Sequence, residues 1–247
     1  MTFGSLFSGV GGLDLGLERA GLRCVWQVEK DEFCQKVLAK HWPNVKRWDD
    51  VATFTGEGFA RPDVICGGFP CQDVSVAGKR EGITGKRSGL WSEFSRIIRI
   101  LQPRFVAVEN VSALLGRGLG RVLGDLAACG YDAEWDCLPA AAFGAHHIRD
   151  RIFIIAKSSN ADSMRSQGQW PTKAESWSRE QFERLLQTET RLSVPAGKTG
   201  GISDGVSGRV DRLRALGNAV VPQVAEWIGR RLMQVDSIPP ARTGGSE

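Results

Sequence analysis

From residue 1 to about residue 156, short apolar runs alternate with amphipathic stretches, and this alternation limits what the chain can fold into more than any other feature. A short apolar run suits a strand buried on both faces, and the stretches between repeat their apolar positions at helical spacing. The pattern is therefore that of parallel strands joined by crossover helices, an α/β fold. Thr2–Phe7, Arg23–Glu29, Asp63–Gly67, Arg104–Glu109 and Arg151–Ala156 are predicted strands, and the alternating run Tyr131–Leu138 is predicted at a sheet edge. Leu90, Phe94, Ile97, Ile98 and Leu101 form one helical stripe; Phe33, Val37 and Leu38 form a second, and Leu119, Val122, Leu123 and Leu126 a third. Gly21 and Gly130 stand where a helix end favours a left-handed residue.

The texture changes after Lys157. The stretch to about Arg209 is rich in Ser, Gln, Thr and Gly, with one helix predicted near Arg179–Gln187. Order returns in RVDRLRALGNAVVP, where Pro222 opens a helix carrying Val224, Trp227, Ile228 and Leu232 on one face. The chain thus divides into 1–156, an insert 157–208, a returning segment 209–235, and a tail 236–247 expected to be disordered.

With 247 residues, 42% of them hydrophobic, the chain can bury one substantial core, and none of its apolar runs approaches a membrane span. A formal charge of +4 permits a nucleic-acid partner without arguing for one. The six cysteines form no CxxC pair and the start MTFGSLFSGVGG carries no leader signal, so a reducing cytoplasm is expected. His146 and His147 are adjacent, which matches no metal-ligand spacing, and no metal is expected.

Chemistry concentrates where strands end. SLFSGVGGLD closes the first strand with Gly9, Gly11 and Gly12; the spacing misses the dinucleotide fingerprint and fits a single-nucleoside ligand or a tight connection alone. Glu29 follows about 20 residues on, where a carboxylate reaches a ribose hydroxyl, and Asp50 could take an adenine amino group. Either acid could equally be a solvated surface group. Cys71, fixed by Pro70 after a strand, stands where this fold class places a nucleophile, with a glycine-rich, basic lid from Gln72 to Ser88 behind it. Cys66 reads as core. Glu109 ends the apolar run VAV, so desolvation should raise its pKa and suit it to general acid work, unless it serves as a cap or ion pair. Arg149 and Arg151, at i and i+2, face one side of an extended segment and ask for an anion or carbonyl.

Taken in order, FSGVGG, VEKD, GGFPCQDVSVAGKR, VAVENV, HHIRDR and RLRALGNAVVP resemble the motifs of the DNA cytosine-5 methyltransferases, over residues 1 to about 156 and 209 to 233. The resemblance implies a Rossmann-like S-adenosylmethionine-dependent methyltransferase sheet, of seven mostly parallel or mixed strands, with a small inserted target-recognition region at 157–208. It implies methyl transfer from S-adenosylmethionine to carbon 5 of a cytosine flipped out of double-stranded DNA. Carried over position by position, Cys71 adds to the base and Glu109 engages ring nitrogen 3, while Arg149 and Arg151 hold the carbonyl side. Phe7, Gly9, Gly11 and Gly12 surround the methionine moiety; Glu29 takes the ribose, Asp50 and Val51 the adenine, Pro70 and Leu90 the walls, and Asn218 and Val220 the amino-acid end. Gln72, Ser75, Lys79 and Arg80 contact DNA. The free chain is expected to be a monomer, and a restriction endonuclease partner is left open.

Three positions depart from the family. His146-His147 stands where Pro-Gln is usual, Lys30 follows the ribose acid where an aromatic or similar residue is usual, and the insert is short for a recognition domain. A tRNA methyltransferase and a catalytically silent DNA-binding relic are the alternative readings.

Overall fold

The computed structural model describes residues 1–70, 89–145, 149–159 and 217–237. In chain order these residues form β1 (Thr2–Leu6), α1 (Gly12–Arg19), β2 (Arg23–Val28), α2 (Glu32–His41), β3 (Lys46–Trp48) and β4 (Val64–Gly68). There follow α3 (Leu90–Leu101), β5 (Phe105–Val111), α4 (Leu114–Arg117), α5 (Leu119–Ala128), β6 (Tyr131–Pro139), a 3-10 turn (Ala140–Phe143), β7 (Asp150–Ser158) and α6 (Pro222–Ser237). The strands make one seven-stranded sheet in the order β3-β2-β1-β4-β5-β7-β6. Its pairs are parallel except those of β7, which runs antiparallel to both β5 and β6.

Side-chain alternation sorts the core into two layers. Val106 and Val108 of β5 join Ile65, Ile152 and Ile154 under α3 and α5, whose stripes include Phe94, Ile98, Val122 and Leu126. Phe105 and Ala107 join Val64, Cys66 and Phe153 under α1 and α6, with Leu13, Leu17, Ala225, Ile228 and Leu232. Helices on both faces leave the parallel strands no wet side, which is why they read as continuous apolar runs.

The predicted strands are all present, and β6 lies at the edge. β5 runs two residues beyond its predicted end at Glu109, to Val111, and β7 extends from Asp150 to Ser158. β3 was not anticipated: a three-residue strand, KRW, is too short to show a period. Gly21 and Gly130 take φ of 97° and 84°, one residue past the caps of α1 and α5. α6 reaches Ser237, so Asp236 of the expected tail is helical and pairs with Arg104. The helix expected near Arg179–Gln187 lies outside the described residues.

Candidate active site

The chain turns left-handed directly after β1. Phe7, Gly9 and Gly11 have φ of 52°, 56° and 84°. For Phe7, a residue with a Cβ, that conformation costs on the order of 1 kcal/mol and marks a backbone held for a purpose. Gly11 N–H donates to Ser8 O (2.9 Å) and α1 begins at Gly12. The Glu29 carboxylate, one residue past β2, accepts from Gly9 N at 2.7 Å and from Asp31 N at 2.7 Å. Asp31 in turn caps α2, accepting from Phe33 N and Cys34 N. One acid thus ties the glycine turn to the start of the next helix.

Asp50, two residues past β3, is tied to this wall. Lys30 Nζ lies 2.8 Å from its Oδ2, and Ala52 N–H donates to its Oδ1 at 3.0 Å. The hydrogen bond from Lys30, then that from Ala52, hold the Asp50 carboxyl below the usual range. Arg96 of α3 braces the same loop, donating to Val51 O (2.9 Å) and Phe54 O (3.0 Å) while Glu93 holds its Nε at 2.7 Å.

The third wall is built by β4 and β5. Glu109 pairs in register with Gly68, and a Cβ at Gly68 would fall 2.5 Å from Glu109 Oε2, so the carboxyl has room only because position 68 lacks a side chain. Arg151 of β7 meets Glu109 Oε1 at 2.9 Å. Burial pushes the Glu109 carboxyl up to about 7, outweighing the opposing pull of Arg151 and Arg149. Arg149 also donates to the Gly217 carbonyl. Asn110 donates to Phe69 O at 3.1 Å and accepts from Val111 N at 2.9 Å, clamping the segment that leads through Pro70 to Cys71.

These walls enclose a cavity of about 410 Å³ at the carboxyl ends of β1, β2, β4 and β5. There the strand order reverses direction, the place where open α/β sheets bind ligands. A Cβ added at Gly9 would meet nothing within 4 Å, so the turn presents open backbone. Phe7, Gly9, Gly12, Glu29, Asp50, Val51, Pro70, Leu90, Asn218 and Val220 line the cavity together with Glu109, Arg149 and Arg151. Gly11 does not line it; a Cβ there would lie 2.5 Å from the Trp42 ring, so this glycine serves packing. Cys71, Gln72, Ser75, Lys79, Arg80, the lid, His146-His147, residues 160–208 of the insert and residues 209–216 of the returning segment lie outside the described residues. Among the described residues no helix is long and apolar enough to cross a membrane, and no group of three His, Cys, Asp or Glu could hold a metal.

Sequence reasoning missed the bracing by Arg96 and the Lys30–Asp50 pair. A cation and an acid three residues apart inside an apolar stripe, Glu93 and Arg96, were the available signal for the first. It also missed a buried cluster around Asp14, an acid interrupting the apolar face of α1 between Leu13 and Leu17.

A family model described as C-5 cytosine-specific DNA methylase matches residues 1–199. The chain is 35% identical over 158 residues to the Type II methyltransferase M.HgiCII of Herpetosiphon aurantiacus, covering 62% of this chain and 36% of that protein. It is 33% identical over 157 residues to the Type II methyltransferase M.NgoFVII of Neisseria gonorrhoeae, covering 61% and 42%. The chain thus spans about two fifths of the length of the curated relatives it matches. A prophage-encoded E. coli protein described as a DNA modification methyltransferase superposes with a TM-score of 0.66 at 20% identity, over 96% of this chain and 100% of that one. The S. pombe Dnmt2 methyltransferase superposes with a TM-score of 0.56 at 18% identity, over 82% and 58%. These likenesses show the fold, that of the S-adenosylmethionine-dependent methyltransferases.

Proposed function

The chain belongs to the C-5 cytosine-specific DNA methylase family, and from that premise we propose that it methylates carbon 5 of a cytosine flipped out of double-stranded DNA, with S-adenosylmethionine as donor. One observation carries the reading: the buried Glu109 carboxyl, held near neutrality beside Arg151, faces the same cavity as the glycine turn and Glu29.

The residues present fit the cofactor. An open-backbone turn, an acid anchored beside it and a second acid lining the same cavity are the set that a nucleoside bearing an amino-acid tail requires. Phe7, Gly9 and Gly12 would hold the methionine end, Glu29 the ribose, and Asp50 and Val51 the adenine, with Pro70 and Leu90 as walls and Asn218 and Val220 at the amino-acid end. When bound, S-adenosylmethionine supplies the electrophilic methyl group.

The chain's own groups make carbon 5 able to take it. Cytosine's carbon 5 is a weak nucleophile. The Cys71 thiolate adds at carbon 6 while Glu109 gives its proton to ring nitrogen 3, which moves electron density onto carbon 5. Arg151 pairs with Glu109 and stabilises the carboxylate left behind, and Arg149 and Arg151 offer guanidiniums to the base's carbonyl oxygen. Loss of the carbon 5 proton to a base, expulsion of Cys71 as thiolate and return of the ring nitrogen 3 proton to Glu109 then restore the ring and the acid. A stacked base is out of reach of such a cavity, so the cytosine is flipped out, and Gln72, Ser75, Lys79 and Arg80 of the lid contact DNA.

The division of labour is part of the same proposal: residues 1–156 hold cofactor and base, 157–208 read the target, and 209–235 return to the catalytic body. So are a monomeric free chain, a restriction endonuclease as companion, and a cytoplasmic setting that keeps Cys71 reduced. The test is incubation of the purified chain with unmethylated genomic DNA and S-adenosylmethionine, read at base resolution beside Cys71→Ala. Methylated cytosines in one sequence context, lost in the variant, support the reading; transfer to folded RNA alone, or to neither polymer, overturns it.

A further inference from the structure

Two backbone segments must keep a fixed relation for the proposed cofactor pocket to exist: the left-handed turn after β1 and the Glu29 end of β2. A buried polar cluster joins them. The Asp14 carboxyl, in the first turn of α1, is 0% exposed. An acid in that turn is ordinarily solvated and favoured by the helix dipole; here it is enclosed, and both its oxygens are engaged inside the protein. Ser5 Oγ of β1 donates to Oδ2 at 2.9 Å, and Gln27 Nε2 of β2 donates to Oδ1 at 2.8 Å. Ser8 Oγ donates to Ser5 Oγ at 2.9 Å, and Ser8 is the residue whose carbonyl accepts from Gly11 N. Ser5 and Ser8 both reach the cavity wall.

A buried carboxyl is an expensive way to fill space. Leu13 and Leu17 flank Asp14 on α1, and an all-apolar filling of this space, with Ser5 and Gln27 replaced as well, would avoid the cost of desolvating a carboxyl. What an apolar residue could not do is hold Ser5 and Gln27 in one orientation. Gln27 stands two residues before Glu29, and Ser5 two before Phe7, so each tie acts on one wall of the pocket.

We propose that Asp14 is a positioning residue for the cofactor pocket: through Ser5 and Ser8 it sets the glycine turn, and through Gln27 it sets Glu29. The inference rests on the reading of the cavity as an S-adenosylmethionine site. Gln27 Oε1 supplies a further handle, because it is buried with no hydrogen-bond partner. In an Asp14→Asn variant the new carbonyl can still accept from Ser5, and the new amide can donate to Gln27 Oε1 once the glutamine amide turns over. Both ties then survive without the charge.

The test is calorimetric titration of the purified chain and its variants with S-adenosylhomocysteine, beside thermal melting without ligand. Asp14→Leu leaves Ser5 and Gln27 unpaired and is expected to lower the unliganded Tm and to weaken binding by about tenfold or more, whereas Asp14→Asn stays within about threefold of wild type in affinity. Titration well below both melting transitions, where each variant is fully folded, separates positioning from bulk stability. Asp14→Leu binding as tightly as wild type overturns the proposal. If the leucine variant does not fold, Ser5→Ala decides: weakening by about fivefold supports the relay, and unchanged affinity overturns it. If the wild-type chain itself binds no S-adenosylhomocysteine, the cofactor reading falls and takes this inference with it.

Discussion

At Glu109, burial and two guanidiniums pull in opposite directions, and burial prevails. A carboxyl near 7 is protonated in a useful fraction at neutral pH, which an exposed glutamate is not. If its proton goes to the cytosine ring, turnover should fall as pH rises through about 7, because the active form is the protonated one. Initial rates from pH 5.5 to 9 would show that limb, and Glu109→Gln should lose about two to four orders of magnitude in turnover along with it. The same shift has a consequence for stability. Glu109 and Asp14, the latter pushed up to about 6 by burial, both bind a proton more tightly folded than unfolded. Their ionisation therefore opposes the fold as pH rises from about 4 to 7, each by on the order of 3 kcal/mol. Urea unfolding of the ligand-free chain should show a lower midpoint at pH 8 than at pH 5.5, and Glu109→Gln should flatten the difference. Glu109 was legible in the sequence because an acid ending an apolar strand is buried by the strand itself. Lys30 was not: its partner Asp50 lies twenty residues on, and only the pairing of β2 with β3 brings the two together.

At the scale of elements, glycines with different surroundings make opposite predictions. A Cβ at Gly16 of α1 would stand 2.3 Å from Pro222 O and 2.4 Å from Ala225 Cβ, so it is the absence of a side chain that lets α1 and α6 touch. Gly16→Ala should destabilise by about 1–3 kcal/mol in chemical denaturation. Gly124 of α5 is exposed, and a Cβ there would meet nothing within 4 Å. Gly124→Ala should stabilise by about 0.5–1 kcal/mol, the helix-propensity difference. Helical stripes and strand runs were readable because periodicity belongs to a single segment. The direction of β7 was not, since an apolar run packs equally well parallel or antiparallel; the register Glu109↔Phe153 and its neighbours shows which was taken. That direction matters, because it brings Arg151, near the start of β7, beside Glu109, near the end of β5.

For the molecule as a whole, the cavity gathers residues from the ends of four strands and from the segment before α6, so a ligand that fills it should act on global stability. S-adenosylhomocysteine at about a hundred times its Kd should add about 2.7 kcal/mol and raise Tm by about 5–10 °C; no shift in a thermal melt would contradict a cofactor site there. By itself the sequence determined the α/β architecture, the order of the motifs and the acids, glycines and arginines that meet at the carboxyl edge. These follow from apolar periodicity and from residues adjacent in the chain. Only the tertiary structure decided that Gly11 supports Trp42 rather than the cavity, that Lys30 clasps Asp50, that Arg96 braces the Asp50 loop, and that Asp14 joins two strands from inside the core. The physical reason is that a buried polar atom must find a partner, and which partner it finds depends on how distant segments pack, a relation that no local pattern encodes.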